Sequence, residues 1–312
     1  GWLARTSDGG KHWRVQYRCR DVVRQIFALN AKAAWATLGN DEAKTWKLIR
    51  TTDGGNSWKD AGTVPSGSFL HFVSDREAFS GNARTTDGGK TWTRLPIPDQ
   101  TIGDAYFHDA NNGWAVTSGK NGFKIRKTTD GGNAWMTVYA SATALQPTGA
   151  VIRSAGKLDA WVEVIGDSGM TQTSYSLFHT KDGGKSWLPV LANSGAGSGP
   201  APGFTDDGVK RVPRNGGSSP GTLYVVNSNV AFMGGQCQAC DNPNVLGKTT
   251  DGGKTWVNLK PQYPGYMPQQ IAAADASHVW WINTDNADPS RMYVTSDGGQ
   301  NWKLVHTFDK PE

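Results

Sequence analysis

Glutamate is scarce in this chain, with four in 312 residues, Glu42, Glu77, Glu163 and Glu312. Three of them fall in loops or the tail. Glu163 alone sits inside an apolar run, Ala160-Trp161-Val162-Glu163-Val164-Ile165. Such an acid is either buried with a raised pKa or paired with a neighbouring Arg or Lys. Cysteine is scarcer still, with Cys19, Cys237 and Cys240, and His278 is the nearest histidine to the Cys-x-x-Cys pair. A structural zinc site needs four ligands, so none is expected. No apolar run approaches the ~20 residues that a membrane-spanning helix requires. No stretch keeps a 3.6-residue apolar period long enough for a helix. The 32 basic and 27 acidic residues give a formal charge of +5 without a clustered basic face, so nucleic acid is not an expected partner. His-Glu-x-x-His, phosphate-loop, dinucleotide and Gly-x-Ser-x-Gly motifs are missing too, and no cofactor is implied.

What the chain does contain is one octapeptide, Thr-x-Asp-Gly-Gly-x-x-Trp, seven times over, centred on Asp8, Asp53, Asp87, Asp130, Asp182, Asp251 and Asp297. Its Asp can accept hydrogen bonds from the backbone of the turn that follows. The two glycines permit the positive φ of a tight hairpin. The Trp falls on the next strand, where its ring can wedge between neighbouring sheets. Successive aspartates lie 45, 34, 43, 52, 69 and 46 residues apart. Between them recurs an apolar run, a short polar turn and a run with an aromatic, as in Ile26-Phe27-Ala28-Leu29 followed by Ala34-Trp35-Ala36. These runs read as β-strands.

The octapeptide resembles the Asp box, or BNR repeat, of sialidases, sortilin-type receptors, some glycoside hydrolases and Ycf48-like photosystem assembly factors. The resemblance implies an all-β, seven-bladed β-propeller over residues 1–312, with each box joining the third and fourth strands of a four-stranded blade. Only Gly1-Trp2-Leu3-Ala4 precedes the first box motif, so the first blade is expected to be incomplete. The natural chain is expected to extend upstream of Gly1, with that blade's inner strands and an export signal.

In such a propeller the box turns share one face with the inner hairpin turns, and the opposite face carries the ligand. The loops to search are 16–24, 38–45, 61–68, 95–102, 118–122, 140–149, 166–174, 191–222, 234–244, 260–269 and 284–291. Arg18, Arg20 and Arg24 form a dock for an acidic partner in one reading and a solvated loop in the other. Tyr263 and Tyr266 either stack on a ligand or pack on a neighbouring blade, and Arg291 joins the binding candidates. The Gly/Ser/Pro-rich insertion 191–222, with Asp206, Asp207, Lys210, Arg211 and Arg214, is either a flexible flap or a mobile solvated loop. Cys237 and Cys240 are expected to form a local disulfide, in keeping with an exported protein, leaving Cys19 unpaired and buried.

A sialidase needs three substrate-binding arginines, a Tyr–Glu pair and an Asp acid, and that set cannot be placed here. Asp41, Asp167, Asp241, Asp285 and Asp288 are loop carboxylates for a general glycosidase. The favoured expectation is a monomeric, non-catalytic, Ycf48-like propeller that recognises a protein or peptide on its loop face. The alternative is a carbohydrate-active propeller, either a glycoside hydrolase or a glycan binder. The seven box aspartates are expected to be turn caps rather than acids for chemistry.

Overall fold

The computed structural model describes residues 1–39, 46–120, 122–141, 143, 146–195, 199–237, 244–259, 269–284 and 289–308. Its recurrent element is the box turn. In the turn at Asp87, the Thr85 hydroxyl donates to Asp87 Oδ1 at 2.7 Å and accepts from the Gly89 N–H at 3.0 Å. The Thr91 N–H donates to Asp87 Oδ1 at 3.0 Å and its hydroxyl to Oδ2 at 2.6 Å. Gly88 and Gly89 hold φ of +82° and +98°, which a side chain would strain. The bond from the second glycine's N–H to the threonine hydroxyl recurs in all seven boxes.

These turns punctuate short antiparallel strands. The first six are β1 (Trp2–Arg5), β2 (Arg14–Arg18), β3 (Val22–Ala28), β4 (Ala34–Gly39), β5 (Lys47–Thr51) and β6 (Lys59–Thr63). β1 and β2 form a two-stranded hairpin, and β3 to β6 pair in chain order as a four-stranded sheet. The remaining strands form five further four-stranded sheets, within residues 71–94, 106–140, 149–193, 219–259 and 270–307. The fold is thus an all-β propeller of six four-stranded blades, which corrects the expectation of seven. The first box closes the two-stranded β1–β2 hairpin.

The chain divides into two compact units. One comprises Gly1–Ile97, Asp104–Gly113 and Thr128–Ala134, and the other comprises Pro98–Gly103, Trp114–Lys127 and Trp135–Glu312. In the first, Trp35, Leu48, Leu70, Phe72 and Ala78 make one core cluster, and Leu3 packs with Ala36, Leu38 and Ile49 in another. In the second, Trp161, Tyr175, Leu177 and Met233 form one cluster, and Phe232, Ile271, Trp281 and Tyr293 another. The tryptophans that lose all contact with solvent are Trp35, Trp114, Trp161 and Trp281, on second strands. The box tryptophans, such as Trp92, Trp256 and Trp302, pack only partly buried against these clusters. Deep anchoring therefore comes from the second strands, and the box rings cover them from outside.

A second regularity links successive boxes within each unit. In four places the residue just before a box threonine bonds the first glycine of the next box. Arg5 donates to the Gly54 carbonyl at 2.5 Å, Lys127 to Gly183 at 3.1 Å and Lys248 to Gly298 at 3.2 Å. His179 takes this place on Gly252 at 2.8 Å, with its other ring nitrogen on Asp159 at 2.9 Å. Lys127 and Arg50 also lie over the faces of Trp114 and Trp35, at 5.0 and 4.9 Å.

Several described residues of the 191–222 segment pack against the blade. Ala201 and Val209 are buried with Ala192, Asn215 is 5% exposed, and Ser176 donates to the Pro202 carbonyl at 2.6 Å. A one-turn helix at Asp206–Val209, capped by the Thr205 hydroxyl, interrupts the loop. Its apolar residues are spaced too irregularly to announce this packing in the sequence.

Candidate functional site

In each antiparallel blade, the turn joining the second and third strands lies at the end away from the box turn. The blade of residues 106–140 carries a recess at that end. Asp99, Gln100, Ser118, Lys120, Lys124, Arg126 and Ser141 are among the residues lining a cavity of about 280 Å³. Its walls are fixed by backbone bonds. Gln100 adopts φ +61° and its carbonyl accepts from the Ser118 N–H at 3.0 Å, and Ser141 donates to the Phe123 carbonyl at 2.9 Å. On the strand Gly122–Thr128, Phe123 and Ile125 point into the core, so Lys124 and Arg126 face the other way by the two-residue alternation.

The recess therefore carries three cations against the one carboxylate of Asp99. Arg126 Nε is buried and makes no hydrogen bond among the described residues. A planar guanidinium is suited to a carboxylate, which it can grip through two parallel bonds. Loops 95–102, 118–122 and 140–149 contribute Asp99, Gln100, Ser118, Lys120 and Ser141, whereas Lys124 and Arg126 stand on a strand, outside the loops expected to carry a ligand. Their outward alternation with Phe123 and Ile125 is the sequence signal that would have found them.

The sequence candidates are distributed differently. Arg18, Arg20 and Arg24 are all exposed, around the connection from β2 to β3. Arg24 lies over the Trp46 ring at 5.5 Å. Arg291 is half-buried and opens the strand Arg291–Thr295. Tyr263 and Tyr266 lie outside the described residues, as do Asp41, Glu42, Asp241, Asp285, Asp288 and Glu312. Asp167 is exposed, and Glu77 pairs with Arg84 at 2.7 Å. Cys237 is disulfide-bonded, and its expected partner Cys240 lies outside the described residues. Cys19 is a free thiol, half-buried rather than buried, because it packs only at the margin of the Leu3 cluster.

Glu163 is 2% exposed and its Oε1 has no hydrogen-bond partner. Burial pushes its carboxyl up to about 8, against a smaller opposing pull from Arg153. The box aspartates are shifted the other way. Hydroxyl and backbone donors hold Asp53 at about 2 and Asp87 well below the usual carboxylate range. Carboxylates so fully engaged by their own turn are poorly placed to donate a proton.

The repeated four-stranded sheets and their box turns define the class, a BNR-repeat β-propeller, and part of the chain is similar in sequence to the Ycf48-like members of it. Residues 205–307 match the family model described as photosynthesis system II assembly factor YCF48. The chain is 28% identical over 135 residues to the photosystem II stability/assembly factor HCF136, chloroplastic, of Oryza sativa subsp. japonica. That match covers 43% of this chain and 26% of the rice protein, so the chain spans about a quarter of its relative's length. Among solved structures, YCF48 bound to D1 peptide is similar, with a TM-score of 0.54 and 16% identity over 97% of this chain and 84% of that one. The GH74 xyloglucanase from Xanthomonas campestris aligns with a TM-score of 0.57 and 13% identity, over 91% of this chain and 47% of that one. At these identities the structural likenesses establish the fold alone.

Proposed function

We propose that this protein is a non-catalytic assembly or binding propeller that recognises an extended peptide of a partner protein at the loop ends of its blades. The observation that carries the reading is the recess at Lys120, Lys124 and Arg126, whose charge suits a peptide carboxylate. The match to the YCF48 family model and the peptide-bound YCF48 structure support the same ligand class. Arg18, Arg20 and Arg24 in the first unit and Arg291 in the second are further cationic contacts for such a partner, with Tyr263 and Tyr266 beside them in the proposal. The box aspartates serve as turn caps. The disulfide at Cys237 favours an oxidising, exported location, and the protein works as a monomer.

The test is a titration of acidic peptides, with or without a free C-terminal carboxylate, against the protein and its Arg126→Gln variant. Affinity should fall about 10-fold or more in the variant and weaken with added salt. Unchanged affinity would remove the recess from the site. Turnover of glycosides, or glycan-array binding without peptide binding, would replace the reading with a carbohydrate-active one.

A further inference from the structure

The loop-end recess has a lining hydroxyl whose orientation is set from outside the cavity. Ser141 is 8% exposed, and its Oγ lies 3.2 Å from Thr143 Oγ1. Thr143 is not part of the lining. Its Oγ1 accepts from the Gly203 N–H at 3.1 Å. Gly203 belongs to the 191–222 insertion, which therefore comes within one hydroxyl of the recess wall.

Gly203 is held there by its neighbours. The Ser176 hydroxyl bonds the Pro202 carbonyl, the Ala201 N–H donates to Ser194 Oγ at 2.8 Å, and the Phe204 ring stacks on Phe178 at 5.9 Å. Gly203 adopts φ +88°, and a Cβ there would stand 3.3 Å from the Phe178 ring and 3.4 Å from Phe123 and from Ser141 Oγ. Phe123, like Ser141, lines the recess. A side chain at 203 would be strained and would press on that wall, so the backbone itself makes the contact.

A hydroxyl has one hydrogen to donate and two sites that accept. Thr143 Oγ1 spends an accepting site on Gly203, and its own hydrogen meets Ser141 Oγ, which the Thr143 N–H also faces at 3.5 Å. Ser141 Oγ is thus the acceptor of that pair. Its own hydrogen then has no acceptor among the described residues, and it turns into the cavity. The reverse order would load two donors on Thr143 Oγ1 and leave the Thr143 hydrogen without an acceptor among the described residues. We infer that Ser141 is a ligand-binding donor of the recess, aimed by Thr143 and Gly203, and that its hydroxyl bonds an oxygen of the peptide carboxylate. The Gly203 amide, the Thr143 hydroxyl and the Ser141 hydroxyl run head to tail, each polarising the next. Thr143 and Gly203 are positioning residues, and through them the insertion fixes a binding group without touching the ligand. The inference rests on the carboxylate reading of the recess and names a second donor for it beside the cations.

The probe is a labelled acidic peptide with a free C-terminal carboxylate, titrated by fluorescence anisotropy, with an amidated peptide carrying Asn and Gln for Asp and Glu as control. Ser141→Ala should weaken the acidic peptide about 10-fold, the scale of a lost bond to a charged group, and leave the control unmoved. Thr143→Val keeps the shape, frees the Ser141 hydroxyl to rotate and should cost about 3-fold, whereas Thr143→Ser should restore the parent affinity. In the Ser141→Ala background Thr143→Val should cost nothing further, because both act through one hydroxyl. Full affinity in Ser141→Ala, additive losses in the double variant, or an equal loss for the control peptide would overturn the assignment. Affinity lost in Arg126→Gln but kept in Ser141→Ala would overturn it while leaving the loop-end reading standing. Affinity kept in Arg126→Gln and in Ser141→Ala alike would remove both.

Discussion

Replacing Glu163 by Gln tests the energetics of the blade spanning residues 149–193. Glu163 sits mid-strand between Val151 and Leu177, and its carboxyl is raised from 4.5 to about 8 by burial. The native state therefore keeps the proton over a range where the unfolded chain has lost it. Because the folded value lies above the unfolded one, the stability that the neutral acid permits is complete below pH 4.5. It drains away as pH rises, until both states are ionised near pH 8. Each pH unit in that window is worth about 1.4 kcal/mol, so the native state gives up of order 3 kcal/mol by pH 7. Glutamine has the same shape and no ionisation, so Glu163→Gln should remove this slope. In urea titrations the variant should gain on the parent between pH 5 and pH 8, with the advantage vanishing toward pH 4.5. The amide adds donors that need partners in a buried site, which lowers the whole curve without tilting it. A stability difference that does not vary between pH 5 and pH 8 would refute the neutral buried carboxyl.

Other outcomes follow from the same physics. Asp53 and Asp251 are held at about 2, mainly by hydroxyl donors from Ser57 and Thr255, so their contribution is intact above the ordinary 3.8 and is lost as pH falls toward 2. Acid unfolding should begin below pH 4, and a flat stability profile from pH 4 to pH 2 would contradict the assignment. Asp87→Ala removes four such bonds, from Thr85, Lys90 and Thr91, and should lower Tm by about 2–4 °C while sparing peptide affinity. Loss of binding with Tm unchanged would make Asp87 a ligand contact. Trp161→Ala, at a fully buried ring stacked 3.7 Å from His179, should cost about 3–5 kcal/mol in denaturant titrations, whereas Trp302→Ala, at a partly buried box ring, should cost less. Equal costs would overturn the division of labour between second-strand and box tryptophans.

Much of this architecture was legible before any coordinates. Seven identical turn signals, each carrying its own cap and its own positive-φ glycines, dictate hairpins through contacts no more than four residues apart, as the Thr85-to-Thr91 bonds illustrate. The apolar runs at 26–29 and 34–36 needed only a two-residue period to be read as paired strands, and they became β3 and β4. Blade number was not local information. A box requires two strands, and β1 with β2 satisfies it without a four-stranded sheet. The packing of Ala201 and Val209 was hidden too, because the Gly, Ser and Pro around them look the same whether or not a sheet surface lies beneath.

The sequence by itself determined what the chain does over a few residues: where it turns, which residues cap the turns, and which runs are strands. Tertiary structure decided everything that depends on residues distant in the chain. It set Glu163 in an apolar interior and drew Lys124 and Arg126 toward Asp99 and Gln100. Burial and convergence are sums over many neighbours, and a periodic sequence specifies each neighbour's face without specifying which faces meet.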